Sequence, residues 1–282
     1  CKLYDNEWWL DFGYPEARNY TIKVIDDIIS NYDIDGLHFD YIRYPSKNFD
    51  DHISYNIYGK NQKRDDWRRD NINSFLKDIR KLVQIKKPFI KIGSAPIGIY
   101  KNTSSISGWS SYDNLYQDTK YWLENDMVDY IAPQTYWDLN NTKKDPSFEK
   151  VIIEWQKIKN GKCIIPGVGL WKQNIAKEID NFADCGIPVI TMNNDIENSK
   201  RLCYVGSDYI KGGETACGML GIITGGKANI AVLTGSIKVL GHAQRILGFK
   251  NVMHKKYPNF NVMTIEETND DEIQAYDVAR RV

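Results

Sequence analysis

Residues 32–45 read YDIDGLHFDYIRYP. Within them, Gly36–Asp40 is a short run with turn residues before it, which predicts a β-strand that ends in a carboxylate. Pro15–Asn31 precedes it, with Pro and Glu at the start and isoleucines at helical spacing. An amphipathic stretch at Trp67–Val83 and a second strand-like run at Phe89–Ala95 follow. Such alternation is typical of parallel strands joined by helical crossovers, so the predicted class is α/β.

Composition excludes several functions. The 282 residues carry 37 basic and 37 acidic side chains, so no basic excess is present to bind nucleic acid or an anionic membrane. The apolar runs are far shorter than the roughly 20 residues that span a bilayer, so no membrane span is expected. Five widely spaced cysteines without a C-x-x-C pair predict no metal site, and we expect no cofactor. The residues after Cys1 do not have the basic and then apolar pattern of a leader, so no signal peptide is expected within this sequence.

Aromatic content divides the chain. All 8 Trp lie at or before Trp171, whereas 11 of the 20 Gly follow it. This shift predicts two domains, at residues 1–171 and 172–282. The strand-like run Ile187–Met192 lies near the junction, and the sequence leaves open which domain it joins.

Chemistry in parallel α/β folds lies beyond the carboxyl ends of the strands. Asp40 ends one predicted strand there, and Asp138 follows another, which makes them the candidate catalytic carboxylates of a glycosidase. Polar and aromatic neighbours that could bind a sugar are His38, Arg43, Gln134, Tyr136, Trp137 and Trp171. The alternatives are a core histidine for His38 and an ordinary loop position for Asp138.

Four motifs resemble the glycosyl hydrolase-like 10 family. They are YDIDGLHFDYIRYP at 32–45, DWRRDNIN at 66–73, SAPIGIY at 94–100 and VDYIAPQTYW at 128–137. The resemblance implies a partial (β/α)₈ TIM barrel that begins at about the third βα unit, so the first strands are expected outside this chain. It implies that Asp40 is the acid at the end of the strand and that Gln134, Tyr136 and Trp137 contact the substrate. Tyr41 stands where many relatives have a second Asp, and Ile42 stands where a chitinase-type motif has its Glu, so no substrate-assisted chitinase mechanism is expected.

The second part resembles type I periplasmic sugar-binding proteins. The motifs are GIPVITMNND at 186–195, YVGSD at 204–208, TGS at 234–236 and HAQRILGF at 242–249. The resemblance implies a partial, Rossmann-like parallel α/β lobe. It also implies sugar contacts from Asn193, Asn194 and Arg245, and a periplasmic or secreted location.

The sequence therefore predicts a bacterial carbohydrate-active protein. The leading hypothesis is a glycoside hydrolase that acts on a cell-wall glycan or other polysaccharide through Asp40. The alternatives are a sugar-binding module without catalysis and an inactive fusion of two incomplete domains. The expected partner is a carbohydrate, and open sheet edges predict self-association.

Overall fold

The computed structural model describes residues 1–137, 146–169, 175–196 and 198–282. The chain forms two compact units, Cys1–Gly169 and Leu170–Val282. The elements of the first unit are β1 (Lys2–Tyr4), β2 (Glu7–Trp9), α1 (Pro15–Asn31), β3 (Gly36–Phe39), α2 (His52–Tyr58), α3 (Arg64–Lys86), β4 (Lys91–Ser94), α4 (Ser111–Leu115), α5 (Thr119–Glu124), β5 (Tyr130–Ile131), α6 (Phe148–Ile158) and β6 (Cys163–Ile164). Those of the second unit are α7 (Ile175–Asp184), β7 (Ile190–Met192), β8 (Cys203–Val205), α8 (Tyr209–Thr224), β9 (Lys227–Thr234), α9 (Leu240–Lys256), β10 (Asn259–Glu267) and α10 (Glu272–Arg281).

A four-stranded parallel sheet with the order β3-β4-β5-β6 organises the first unit. Because each strand pairs with the next one along the chain, the carboxyl ends of all four strands lie on one edge of the sheet. β1 and β2 form a separate antiparallel hairpin. The predicted parallel α/β class is confirmed.

Helices α1 and α3 cover one face of this sheet. In α3 the buried apolar residues recur at helical spacing, and they are Trp67, Ile72, Phe75, Leu76, Ile79 and Val83. Leu37 and Phe39 of β3 pack against this core, whereas His38 between them is exposed. Since side chains alternate along a strand, His38 lies on the opposite face of the sheet.

In the second unit, β7 pairs with β8 and β9 pairs with β10, both in parallel. The pairing of β7 with β8 assigns the run near the junction to this unit. Helices α8 and α9 pack closely because glycines form their interface. A Cβ at Gly213 would lie 1.9 Å from the carbonyl oxygen of Arg245, and one at Gly248 would lie 2.0 Å from that of Ile210. Substitution at either glycine would force the helices apart.

Several element boundaries differ from the predicted ones. Tyr116 adopts φ of 63° and ends α4, so α4 and α5 are separate helices. The hairpin of β1 and β2 and the strand β8 have no counterpart in the prediction. Within the described residues, no helix combines the length and the hydropathy needed to cross a bilayer.

Candidate functional site

Asp40 follows β3 directly, at the carboxyl edge of the sheet. Its Oδ1 accepts a hydrogen bond from the backbone N–H of Tyr41 at 2.8 Å and one from Nε2 of Gln134 at 3.1 Å. The same Nε2 donates to the carbonyl oxygen of Ala95 at 3.1 Å. Gln134 therefore joins the acid after β3 to the chain that follows β4, and it fixes the orientation of the carboxylate.

Hydrogen bonds from the described residues occupy only one of the two oxygens of Asp40. Asp40 is exposed, and among the described residues no donor is hydrogen bonded to its Oδ2. Both donors to Oδ1 are neutral groups, and no ion pair joins Asp40 to a described residue. A carboxylate held in this way can accept a proton or attack an electrophilic carbon.

Three aromatic rings surround the guanidinium of Arg43, three residues after Asp40, and we call Trp9, Tyr41 and Trp109 the ring cluster. The guanidinium of Arg43 lies 5.7, 4.7 and 5.1 Å from the centroids of these rings, respectively. Trp9 and Tyr41 also contact each other, with centroids 5.9 Å apart. Burial by the rings lowers the pKa of Arg43 from its ordinary value. Arg43 thus connects aromatic side chains from three separate segments.

The turn after β3 has an unusual backbone. Tyr41 adopts φ of 55°, which is uncommon for a residue with a large side chain. The N–H of Arg43 donates to the carbonyl oxygen of Tyr41 at 2.8 Å. Such conformations occur often at functional sites, because the surrounding structure must hold them. Here the turn directs the Tyr41 ring over Arg43 while Tyr41 N–H holds Asp40.

Tyr136 and Trp137 follow Gln134. Tyr136 is 46% exposed, and partial burial together with the nearby charge of Asp40 raises its pKa. Trp137 is half-buried against Gly98, where a Cβ would lie 2.5 Å from its ring. Tyr136 thus remains accessible near Asp40, whereas Trp137 is in part a packing residue.

His38 lies on the exposed face of β3. Its ring stacks on that of Tyr130 with centroids 5.6 Å apart and an interplanar angle of 19°. Partial desolvation lowers the pKa of His38, and the negative charge of Asp40 opposes this effect. The expected alternative, a histidine in the core, is not what the structure has.

Two predicted site residues, Asp138 and Trp171, lie outside the described residues. Conversely, the prediction missed Trp109 and Tyr130. Tyr130 belongs to the quoted motif at 128–137, and its place in that motif was the available signal. Trp109 lies in a loop where no periodicity singles it out. Among the described residues, no group of three or more His, Cys, Asp or Glu has the arrangement of a metal site.

The second unit brings together a separate polar cluster. Asn193 adopts φ of 66°, and its Oδ1 accepts a hydrogen bond from the hydroxyl of Tyr209 at 3.0 Å. The guanidinium of Arg245 lies 4.3 Å from the centroid of the Tyr209 ring. Asn194 is half-buried beside Asn193, and its N–H donates to the carbonyl oxygen of Met192 at 2.9 Å. Tyr209 therefore connects the predicted sugar contacts of β7 and α9.

Arg245 also lines a cavity of about 400 Å³ in this unit. The cavity is bounded by α8, α9 and the end of β9, including Thr234, His242 and Phe249. A mixture of apolar walls and a few polar groups is typical of small-molecule sites.

A parallel sheet with an exposed carboxylate at the end of β3, near Tyr41 and Tyr136, defines an α/β protein with a candidate site at the carboxyl edge of its sheet. The chain belongs to the glycosyl hydrolase-like 10 family, whose model matches residues 3–181. A periplasmic binding protein domain model matches residues 169–282. Both resemblances drawn from the sequence motifs are confirmed.

Two relatives have similar first parts. The glycosyl hydrolase YngK of Bacillus subtilis (strain 168) is 38% identical over 149 residues, which are 48% of this chain and 29% of the relative. The glycosyl hydrolase DigH of Escherichia coli (strain K12) is 32% identical over 143 residues, which are 47% of this chain and 33% of the relative. The chain thus spans about a third of the length of these curated relatives.

Solved structures similar to this chain include a sugar-binding protein of a sugar ABC transporter from Bacillus halodurans. It is 20% identical, with a TM-score of 0.41, and the match covers 54% of this chain and 49% of that one. The arabinose-binding protein AraP from Geobacillus stearothermophilus is 22% identical, with a TM-score of 0.40 and the same shares of the two chains.

Proposed function

We propose that the first unit is a glycoside hydrolase segment that acts on a glycan, with Asp40 as its catalytic carboxylate. The observation that carries the proposal is the exposed carboxylate of Asp40. One of its oxygens is held by Gln134 and Tyr41, and the other accepts no hydrogen bond from the described residues. The charge of Arg43, which lies over the ring cluster, interacts with the same carboxylate. Glycosidic bond cleavage needs a carboxylate next to the anomeric carbon and apolar faces on which a sugar ring can stack. Asp138 is the proposed second carboxylate.

The consecutive parallel order of β3 to β6 supports a further part of the proposal. We propose that these strands are part of a (β/α)₈ barrel, in which neighbouring parallel strands follow one another along the chain. Asp40 and Gln134 would then lie at the mouth of the barrel. The match to a periplasmic binding protein domain supports a periplasmic or secreted location and a carbohydrate partner. Self-association through sheet edges stays a prediction.

Asp40→Asn tests the catalytic assignment. The amide keeps an oxygen that Gln134 and Tyr41 can hold, but it loses the charge and the basicity of the carboxylate. We expect the release of reducing ends from purified bacterial cell-wall glycan strands to fall by about 100-fold or more. Asp33→Asn, an exposed acid before β3, is the matched control and should leave turnover unchanged. Unchanged turnover in Asp40→Asn would remove Asp40 from the mechanism.

A second function is favoured by the arrangement around Arg245. Its guanidinium is ordered on Tyr209, which also holds Asn193, and planar polar groups of this kind bind sugar hydroxyls in fixed directions. We therefore propose a sugar-binding role for the second unit, through Arg245, Asn193 and Asn194.

Isothermal calorimetry with D-ribose and D-glucose tests this role. Saturable binding to the chain should be lost in Arg245→Ala. Arg280→Ala is the matched control, since Arg280 lies over Tyr276 at 5.7 Å in the same unit. Binding that survives Arg245→Ala would move the site elsewhere. A chain that neither cleaves glycan nor binds either sugar would favour the inactive fusion.

A further inference from the structure

His38 and Tyr130 contact each other across an intervening strand. The register pairs His38 of β3 with Gly93 of β4, and Gly93 with Tyr130 of β5. Positions two strands apart are separated by about 10 Å along the sheet. The two rings nevertheless stack at 5.6 Å, and Nδ1 of His38 lies 2.9 Å from the hydroxyl oxygen of Tyr130.

Gly93 makes this contact feasible. A Cβ at position 93 would lie 2.0 Å from Cζ of Tyr130, which is much closer than any van der Waals contact. The Tyr130 side chain therefore lies across β4, in the space that any other residue at position 93 would fill. The glycine is needed for this close approach rather than for its backbone conformation, since it lies in a regular strand.

The hydrogen bond has a preferred direction. A phenol hydroxyl is a stronger donor than an imidazole N–H, and an unprotonated imidazole nitrogen is a good acceptor. Among the described residues, the Tyr130 hydroxyl has no other hydrogen-bond partner, so its proton is available for Nδ1. Partial burial raises the pKa of Tyr130, so the hydroxyl stays protonated, and desolvation of His38 favours the neutral imidazole. If Nδ1 accepts, the remaining proton of the neutral ring lies on Nε2.

We propose that Tyr130 is a positioning residue, which donates to Nδ1 of His38 and thereby fixes the Nε2–H tautomer as a hydrogen-bond donor to a sugar hydroxyl beside Asp40. His38 lies on the exposed face of β3, Asp40 follows that strand directly, and the charge of Asp40 acts on the His38 imidazole, so the two side chains are neighbours. The assignment of the tautomer rests on the contact between His38 and Tyr130 across β4, and it does not depend on the proposed function. The assignment of the donor to a sugar hydroxyl rests on the proposed function.

Long-range ¹H–¹⁵N correlation spectra of the ¹⁵N-labelled chain at pH 8 test the tautomer. The chain has four histidines, and His38→Gln identifies the signals of His38. We expect the shift pattern of an unprotonated Nδ1 and a protonated Nε2. In Tyr130→Phe, which keeps the ring but removes the donor, both tautomers should be populated. Tyr20→Phe, at an exposed position on α1, should leave the pattern unchanged. A protonated Nδ1 in the unaltered chain would overturn the assignment.

Kinetics on cell-wall glycan strands test the donor role. Because Tyr130→Phe removes one neutral hydrogen bond, we expect its kcat/KM to be roughly two- to tenfold lower. Gly93→Ala should have the same effects on the tautomer and on turnover, and Tyr130→Phe alone decides if Gly93→Ala does not fold. If the unaltered chain shows the Nε2–H tautomer but Tyr130→Phe leaves kcat/KM unchanged, the contact of His38 with a sugar hydroxyl is overturned. If the unaltered chain does not cleave the glycan, the proposed function fails, whereas the spectra still decide the role of Tyr130.

Discussion

Two aspartates of the first unit have opposite surroundings. Asp51 is fully buried in what we call the arginine network, which consists of Asp51, Arg64 and Arg68. Oδ2 of Asp51 accepts from Nε of Arg68 at 2.6 Å, and Oδ1 accepts from Nη2 of Arg68 at 2.8 Å and from Nε of Arg64 at 2.7 Å. Asp40, in contrast, is exposed, and its hydrogen bonds come from an amide and a backbone N–H to one oxygen.

This contrast separates a structural carboxylate from the proposed catalytic one. Arg68 is also saturated, since it donates to the carbonyl oxygens of Lys47 and Phe49 and to the hydroxyl of Tyr116. Both oxygens of Asp51 accept charge-assisted hydrogen bonds and the side chain is fully buried, so this carboxylate cannot reach a substrate without loss of an ion pair. Among the described residues, Asp40 has one oxygen without a donor and no ion pair to lose. The partners of an aspartate, more than the residue type, therefore indicate its role.

Removal of one arginine from the network should have the largest effect. Arg68→Met leaves Asp51 buried with only part of its donors, so the free energy of unfolding should fall by about 3 kcal/mol. Tryptophan fluorescence during urea unfolding measures this, because all 8 Trp lie at or before residue 171. Lys81→Met on the same helix, which breaks an exposed pair with Asp78, is the control and should cost less than about 0.5 kcal/mol. Equal effects of the two substitutions would mean that the network has no special structural role.

The arginine network also shows which contacts could not be predicted from the sequence. Strand and helix alternation is a local signal, so it predicted β3 and the position of Asp40 at the end of that strand. Asp51 and Arg68 come from different elements, and no pattern in the chain indicates that they form an ion pair. The contact of His38 with Tyr130 depends in turn on the register of β3, β4 and β5. A register follows from the folded sheet and not from the periodicity of one strand.

An intermediate effect is expected at Arg43, which contacts the ring cluster beside Asp40. Arg43→Met removes the cation that lies over three rings, so glycan affinity should fall by about 1 kcal/mol, or about fivefold. Calorimetry with cell-wall glycan strands in an Asp40→Asn background measures binding without turnover. Lys101→Met is the matched control, since Lys101 lies over the single ring of Tyr112 at 4.4 Å. If Lys101→Met weakens binding as much as Arg43→Met, the ring cluster is not the sugar contact.

The smallest effect on stability should come from Asp40 itself. Because the described chain gives Asp40 no ion pair, Asp40→Asn should change the free energy of unfolding by no more than about 0.5 kcal/mol. A destabilisation comparable to that of Arg68→Met would contradict the contrast between the two aspartates.

The same substitution should change the titration of His38. The charge of Asp40 favours the imidazolium, so its removal should lower the already depressed pKa of His38 further. A depressed pKa in the folded state means that His38 contributes stability above its unfolded pKa of about 6.5, and that this contribution is lost as the pH falls through the folded pKa. In Asp40→Asn that loss should extend to lower pH. Imidazole proton shifts followed against pH measure both forms, and Asp78→Asn, an exposed acid on α3, should leave His38 unchanged. An unchanged midpoint in Asp40→Asn would show that the two side chains do not share the face on which the proposed sugar contact depends.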